Sequence, residues 1–372
     1  MPKLYFVIGS YRPNTAEMNR AMSLIKGFSA VKQEVEVVFI LSSSQDDRVT
    51  NEIPYVKFTY LWDRFNVKNR YLRQVAYSIL SAQFVKKINA GDTVLLYSAE
   101  RIMFKLLDKK GVRVFCERTE HPFAFPVRYI NMKKWVSACK SLDGLFVIST
   151  ALRDYFIEKG VPAEKVHIIN MTVDVSRFCN LERQGNERYI AYCGSAYNNK
   201  DGVDQLIKAF SIFHESHNDY KLLIIGKAPL TDDDSDNMRL VRKLGLLDKV
   251  VFTGLVSSND IPQLLKNATV LALDRPDNLQ AKYGFPTKLG EYLLTANPVV
   301  VTSVGDIPLF LKDKYNALLA NPDEPENFAE NLEWVINHPS EAEEIGKRGA
   351  ETAALYFDSN NEAKKMLHYI FQ

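Results

Sequence analysis

No stretch of this chain approaches the roughly 18 consecutive apolar residues that a membrane-crossing helix needs, so a helical spanning protein is not expected. The chain opens Met1-Pro2-Lys3 and runs straight into the strand-like Leu4-Tyr5-Phe6-Val7-Ile8, so no signal peptide is expected either. Cysteine is scarce: Cys116, Cys139, Cys179 and Cys193 lie far apart with no paired spacing. That argues against a disulfide framework or a zinc site and for a reducing cytoplasm. Cys116 and Cys193 fall at the ends of predicted strands and read as small buried hydrophobes. The one dense acidic run, Asp232-Asp233-Asp234-Ser235-Asp236, has no other ligand cluster near it and reads as a solvated loop rather than a metal site. Short-period repeats and low-complexity tracts are absent, and no recognised nucleic-acid motif accompanies the basic residues.

What is present is ordinary in bulk and uneven in distribution. Across 372 residues, 46% hydrophobic and 25% charged content is that of a soluble globular protein, and the length suits two domains of similar size. Net charge is only +2, yet it is split. Residues 1–170 hold 26 Lys+Arg against 16 Asp+Glu, about +10; the remainder holds 21 against 29, about −8. A basic first half calls for an anionic partner, and a phosphate-bearing membrane surface or acceptor fits better than nucleic acid.

Short apolar runs alternate with amphipathic stretches, which predicts parallel sheets flanked by helices. Strands are predicted near Leu4–Ile8, Val35–Leu41, Val56–Thr59, Thr93–Tyr97, Val112–Cys116, Gly144–Ile148 and Val166–Ile169. The second half repeats the scheme at Tyr189–Cys193, Lys221–Ile225, Val250–Thr253, Val270–Leu273 and Val299–Thr302. The expected fold is α/β, two Rossmann-like doubly wound domains facing a cleft. The first domain is read as residues 1–180 and the second as residues 181–356, with Asn180–Glu187 as linker.

The most informative segment is Gly284-Phe285-Pro286-Thr287-Lys288-Leu289-Gly290-Glu291-Tyr292. A glycine- and proline-bearing loop opens a predicted helix, Thr287–Leu294, whose first N–H groups suit an anion. Lys288 adds a positive charge, and Glu291, three residues on, lies on the same face and can accept from two sugar hydroxyls. A diphosphate with a ribose fits such a site. Gly194 and Lys200, just past a predicted strand end, are expected at the same anion, the glycines Gly194 and Gly284 serving as turn formers, as close-approach positions, or as both.

Four ordered landmarks then carry a resemblance. They are Tyr192-Cys193-Gly194-Ser195 with Lys200-Asp201-Gly202-Val203-Asp204; Leu222 to Ile225 with Gly226-Lys227-Ala228-Pro229; Val250 to Gly254 followed by Ile261-Pro262-Gln263-Leu264-Leu265; and the Lys288/Glu291 segment. Together they resemble the GT-B glycosyltransferases, specifically the large family 4 of retaining enzymes (the glycosyl transferases group 1). Within that family most members carry two glutamates eight apart. Here Tyr283 stands at the first position and Glu291 at the second, in the pattern P-x-K-x-x-E-Y of a subgroup. No arginine lies between Gly194 and Lys200, so Lys288, Lys282 or Lys227 is expected to supply the charge usually given by a basic pair.

The resemblance implies a cytoplasmic glycosyltransferase, peripheral at the inner face of the membrane, in cell-surface polysaccharide or glycolipid synthesis. It would move a sugar from a nucleotide-diphosphate sugar to a glycan or lipid-linked acceptor with retention. Residues 1–180, joined by a returning helix at about 357–372, are implied as the acceptor side, and residues 181–356 as the nucleotide-sugar side. Glu291 is implied on the ribose, and Lys200 and Lys288 with Gly194, Gly284, Phe285, Pro286 and Thr287 around the donor. His121, after Glu120, resembles the family's histidine near the transferred sugar and is the catalytic candidate. Tyr11 and Arg12, in an opening loop that has Thr15-Ala16 in place of a glycine pair, are candidates for phosphate or acceptor. No metal and no cofactor is implied. A sugar-nucleotide epimerase of the same fold, or a non-catalytic partner subunit, are the alternatives.

Overall fold

The computed structural model describes residues 2–12, 15–41, 49, 52–62, 69–97, 101–122, 132–196, 201–227 and 235–372. The chain divides into two units, Met1–Thr172 with Ser359–Gln372, and Val173–Asp358. The division falls a little before the expected break at 180 and just after the one at 356, for a local reason. The Val173 N–H donates to the Phe357 carbonyl at 2.8 Å, and Arg177 pairs with Glu291, so both belong with the second unit. The segment expected as a linker also lies along that unit: the Gln184 N–H donates to Asn267 Oδ1 at 2.8 Å.

In the first unit seven parallel strands are β1 (Leu4–Ile8), β2 (Val35–Phe39), β3 (Val56–Tyr60), β4 (Thr93–Tyr97), β5 (Arg113–Arg118), β6 (Gly144–Val147) and β7 (Val166–Ile168). Their order is β3-β2-β1-β4-β5-β6-β7. β1 and β4 are buried along their whole length, which requires cover on both faces. One cover is the helix Ala16–Ala30, started by Thr15, whose Oγ1 accepts the Met18 N–H at 3.2 Å. The chain's last helix, Ser359–Phe371, packs on it. A Cβ at Gly27 would lie 2.3 Å from the Ser359 carbonyl oxygen, so only glycine permits this approach. The same neighbourhood holds a buried ion pair, Arg20 Nη2 to Glu117 Oε1 at 2.6 Å. Arg20 Nη1 also donates to the Asn170 carbonyl at 2.8 Å, and Glu362 Oε2 accepts the Asn170 N–H at 2.6 Å.

In the second unit six parallel strands are β8 (Tyr189–Cys193), β9 (Lys221–Ile225), β10 (Val250–Gly254), β11 (Val270–Leu273), β12 (Val299–Thr302) and β13 (Leu318–Ala320), in the order β10-β9-β8-β11-β12-β13. β13 was not expected: three residues of leucine and alanine carry neither alternation nor β-branching, and only pairing with β12 makes them a strand. Strand order reverses between β8 and β11, so the crevice beyond their carboxyl ends is where a ligand is expected in a doubly wound sheet. There the helix Val203–Ser216 starts from Gly202, whose φ of 56° is left-handed and whose added Cβ would lie 2.3 Å from the Asp274 carbonyl oxygen at the end of β11.

Candidate functional site

The helix Thr287–Leu294 has the bounds read from the sequence. Pro286 is its N-cap, and no side chain caps its first turn, which leaves that end suited to an anion. The loop before it is pinned from behind. Phe285 is buried, with its ring 5.6 Å from Phe310 and 5.4 Å from Phe357. Its side chain is thus used inside the unit, where it fixes Pro286 and Thr287. Gly284 has φ −101°, a backbone any residue can adopt, so the turn-former reading does not apply there.

From this helix Lys288 reaches to the end of β8. Its Nζ stands 4.5 Å from the centre of the Tyr192 ring, donates to Tyr192 Oη at 3.0 Å and to Asp201 Oδ2 at 2.5 Å. The Tyr192 hydroxyl in turn donates to Asp201 Oδ2 at 2.9 Å. Gly194 makes this possible: a Cβ there would sit 2.2 Å from Lys288 Nζ and 2.5 Å from Tyr192 Oη. Arg275, fully buried after β11, brings its Nε to 3.7 Å from Asp201 Oδ1. One turn beyond Lys288, Glu291 pairs with Arg177 Nη1, and Arg177 Nη2 donates to the Ser258 carbonyl at 2.8 Å. The next residue, Tyr292, accepts the Cys193 N–H at 2.5 Å and so ties the helix to the strand end.

The charges follow from these contacts. Burial alone would raise the Asp201 carboxyl, but Lys288 and Arg275 outweigh it and hold it down at about 2. Burial raises Glu291 against the lowering effect of Arg177. Asp274, buried at the end of β11 with Asp204 and Asp323 facing it, is pushed up to about 8 and is largely neutral at physiological pH. Three cations (Lys288, Arg275, Arg177) therefore face two carboxylates (Asp201, Glu291), and the cluster is net positive. The Cys193 thiol is pushed up to about 12, chiefly by burial, so it is no thiolate nucleophile.

Asp201, Arg275, Arg177, Tyr192 and Tyr292 were not singled out from the sequence as site residues. Tyr192 and Asp201 lay inside one quoted motif and Tyr292 inside another, without a role of their own; Arg275 and Arg177 gave no local signal. Thr287 is half-buried at the helix start. Of the spare lysines, Lys227 and Lys282 are exposed, and Lys282 lies over the Tyr283 ring at 5.8 Å. Lys200 lies outside the described residues, as does most of the Asp232–Asp236 run; Asp236 itself pairs with Arg239 on a helix. Among the described residues no group of three or more His, Cys, Asp or Glu is arranged to hold a metal ion.

The remaining candidates belong to the first unit. His121 is buried just beyond β5, its ring edge-on to Tyr155 at 4.4 Å, and burial with Lys159 nearby lowers its pKa and keeps the imidazole neutral. Tyr11 packs edge-on against Phe39 at 5.3 Å, and Arg12 is exposed, its carbonyl accepting from Thr15 Oγ1 at 3.0 Å.

Comparison with known proteins adds three findings. Residues 187–338 match the family model described as glycosyl transferases group 1. An uncharacterized glycosyltransferase of Methanocaldococcus jannaschii is 28% identical over 64% of this chain, and the mannosylfructose-phosphate synthase of Agrobacterium fabrum is 25% identical over 61%. The chain spans 62% of the length of the first relative and 52% of the second. Among solved structures, the Anabaena protein HepE in complex with UDP and glucose superposes with a TM-score of 0.74 at 18% identity, over 100% of this chain and 99% of that one.

Proposed function

We propose that this chain, which has the GT-B fold and whose residues 187–338 match the glycosyl transferases group 1 model, is a glycosyltransferase using a nucleotide-diphosphate sugar. The observation that carries the reading is the helix Thr287–Leu294, which aims an uncapped N-terminus, a lysine and a carboxylate at the β8 end of a doubly wound sheet. The proposed roles follow from chemistry. Glu291 accepts from the ribose hydroxyls with the oxygen that Arg177 leaves available. Lys288, 16% exposed in its side chain, turns from Asp201 to the diphosphate. The departing diphosphate gains negative charge as the glycosidic bond breaks, and a net positive cluster with helix N–H groups stabilises that change. In this reading those groups, with Lys200, act in place of a divalent ion, so turnover should persist in a chelator.

The finer reading is that the sugar passes with retention to a glycan or lipid-linked hydroxyl, for cell-surface polysaccharide or glycolipid synthesis, in the cytoplasm. His121 hydrogen-bonds the transferred sugar, Tyr11 and Arg12 touch the acceptor or its phosphate, and the basic first unit faces an anionic membrane surface. Its support is the family resemblance, the neutral imidazole and the charge split. That HepE is described with UDP and glucose supports testing uridine donors first.

The test is thermal shift across UDP-, GDP- and ADP-sugars, because a ligand that binds only the folded state raises the melting temperature. One donor class should raise it, and Glu291→Ala should abolish the shift. A full shift in a folded Glu291→Ala variant would refute the ribose assignment, and no shift with any donor would refute the function. Turnover of the donor without acceptor, followed by NMR, separates transfer from epimerisation.

A further inference from the structure

The helix Arg70–Lys87 of the first unit already has a core-facing side. Tyr77, Leu80, Phe84 and Val85 are buried, and the Phe84 ring meets Tyr5 of β1 edge-on at 5.5 Å. Its opposite side is apolar as well. Tyr71, Leu72, Val75 and Ile79 are 82, 62, 56 and 53% exposed. At 3.6 residues per turn they fall within about 100° of arc, one continuous outer stripe. No other helix among the described residues exposes four large apolar side chains. A helix that is apolar on both sides and still faces solvent needs something further to cover it.

Charge selects what covers it. The helix contains four basic residues and no acidic one. Lys86, in line with the apolar stripe, and Lys87 are exposed at its C-terminal end. On the neighbouring helix Arg101–Asp108, Lys105 is exposed, as is Lys109 just beyond it. Pairing with a second copy would set this cationic helix against itself. A stable protein partner would need roughly 20–30 residues a side, far more than this stripe supplies. An anionic lipid surface suits both features at once, taking the aromatic and aliphatic side chains at the headgroup–acyl boundary and the lysines among the phosphates.

We propose that the outer face of Arg70–Lys87 is a membrane-docking surface that lies along an anionic bilayer, with Tyr71, Leu72, Val75 and Ile79 immersed and Lys86 and Lys87 on the headgroups. This rests on the reading of the first unit as membrane-facing and does not depend on glycosyl transfer.

The test is flotation of the full chain with phosphatidylcholine vesicles, with and without phosphatidylglycerol, at low and high salt. Binding is expected only with phosphatidylglycerol and should weaken with salt. The triple change Leu72→Ser, Val75→Ser and Ile79→Ser should lower partitioning by at least about tenfold. Removal of each lysine, by Lys86→Ala or Lys87→Ala, should lower it by about fivefold. An Ile79→Trp variant should show blue-shifted emission and quenching by brominated lipid, a readout that needs no loss of binding. Unchanged partitioning of the triple variant, no response to phosphatidylglycerol, or a solvent-like Ile79→Trp spectrum on bound vesicles would each overturn the proposal. So would a dimer in solution that the triple variant turns to monomer, which would make a second copy the occupant. The nucleotide-sugar thermal shift of the triple variant should match the wild type, so failure here leaves the functional reading standing, and the reverse.

Discussion

Replacing Asp201 by asparagine removes the anion that Lys288 and Arg275 share while keeping the side chain's shape. The carboxyl is buried, which by itself would raise its pKa, yet Lys288 at 2.5 Å and Arg275 at 3.7 Å hold it at about 2 against an ordinary 3.8. At about 1.4 kcal/mol per tenfold change in proton affinity, that difference corresponds to roughly 2.5 kcal/mol of folding stability. Breaking a buried pair also strands its partners, and such losses run to about 3–5 kcal/mol. Arg275 is fully buried and cannot escape, whereas Lys288 can turn toward water, so a loss of about 3 kcal/mol is expected. Because the folded-state pKa is depressed, the stabilisation is complete above the ordinary carboxylate range and is lost as pH falls through about 2. Urea unfolding followed by circular dichroism, from neutral pH downward, reads both quantities. The gap between Asp201→Asn and wild type should be widest at neutral pH and close on acidification. A cycle with Lys288→Met should give a coupling of at least about 1 kcal/mol. A coupling near zero, or a gap that acid does not narrow, would refute the picture of a shared carboxylate.

Three further outcomes follow from the same site. Gly194→Ala puts a Cβ 2.2 Å from Lys288 Nζ and should displace the lysine, lowering nucleotide-sugar affinity by about tenfold or more, a loss of about 1.4 kcal/mol; unaltered affinity by calorimetry would count against Lys288 as a diphosphate contact. Asp274 is raised to about 8, so its favourable contribution is complete below the ordinary carboxylate range and lost as pH rises through about 8. The Asp274→Asn variant should therefore match wild type in acid and exceed it increasingly toward alkaline pH, by about 2 kcal/mol or more; a melting-temperature difference independent of pH would be the contrary result. Tyr292→Phe leaves the Cys193 N–H without its 2.5 Å acceptor, and a buried unpaired donor costs about 1–3 kcal/mol, measurable by urea unfolding.

Much of the architecture was legible because its signals are local. The runs Leu4–Ile8, Thr93–Tyr97, Tyr189–Cys193 and Lys221–Ile225 are strands with the bounds expected, and Thr287–Leu294 is the helix expected. Where the reading missed, the deciding contacts came from elsewhere in the chain. Leu318–Ala320 had no strand pattern of its own and is a strand because β12 offers it a partner. Residues 173–180 looked like the end of the first domain, and the Val173–Phe357 and Arg177–Glu291 contacts hold them to the second.

From its sequence alone, this chain committed itself to alternating strands and helices, to a basic first half and an acidic second, and to a lysine and a glutamate one turn apart after a proline-bearing loop. Periodicity, composition and capping act over a few residues, so they can be read along a line. What only the folded chain decided is which charges meet: Lys288 with Asp201, 87 residues away, and Glu291 with Arg177, 114 residues away. Both pairings lower their carboxyl while burial raises it, and the balance leaves Asp201 below its ordinary value and Glu291 above; that balance comes from strand order and from the depth at which each group is buried, and neither is written in any short stretch of residues.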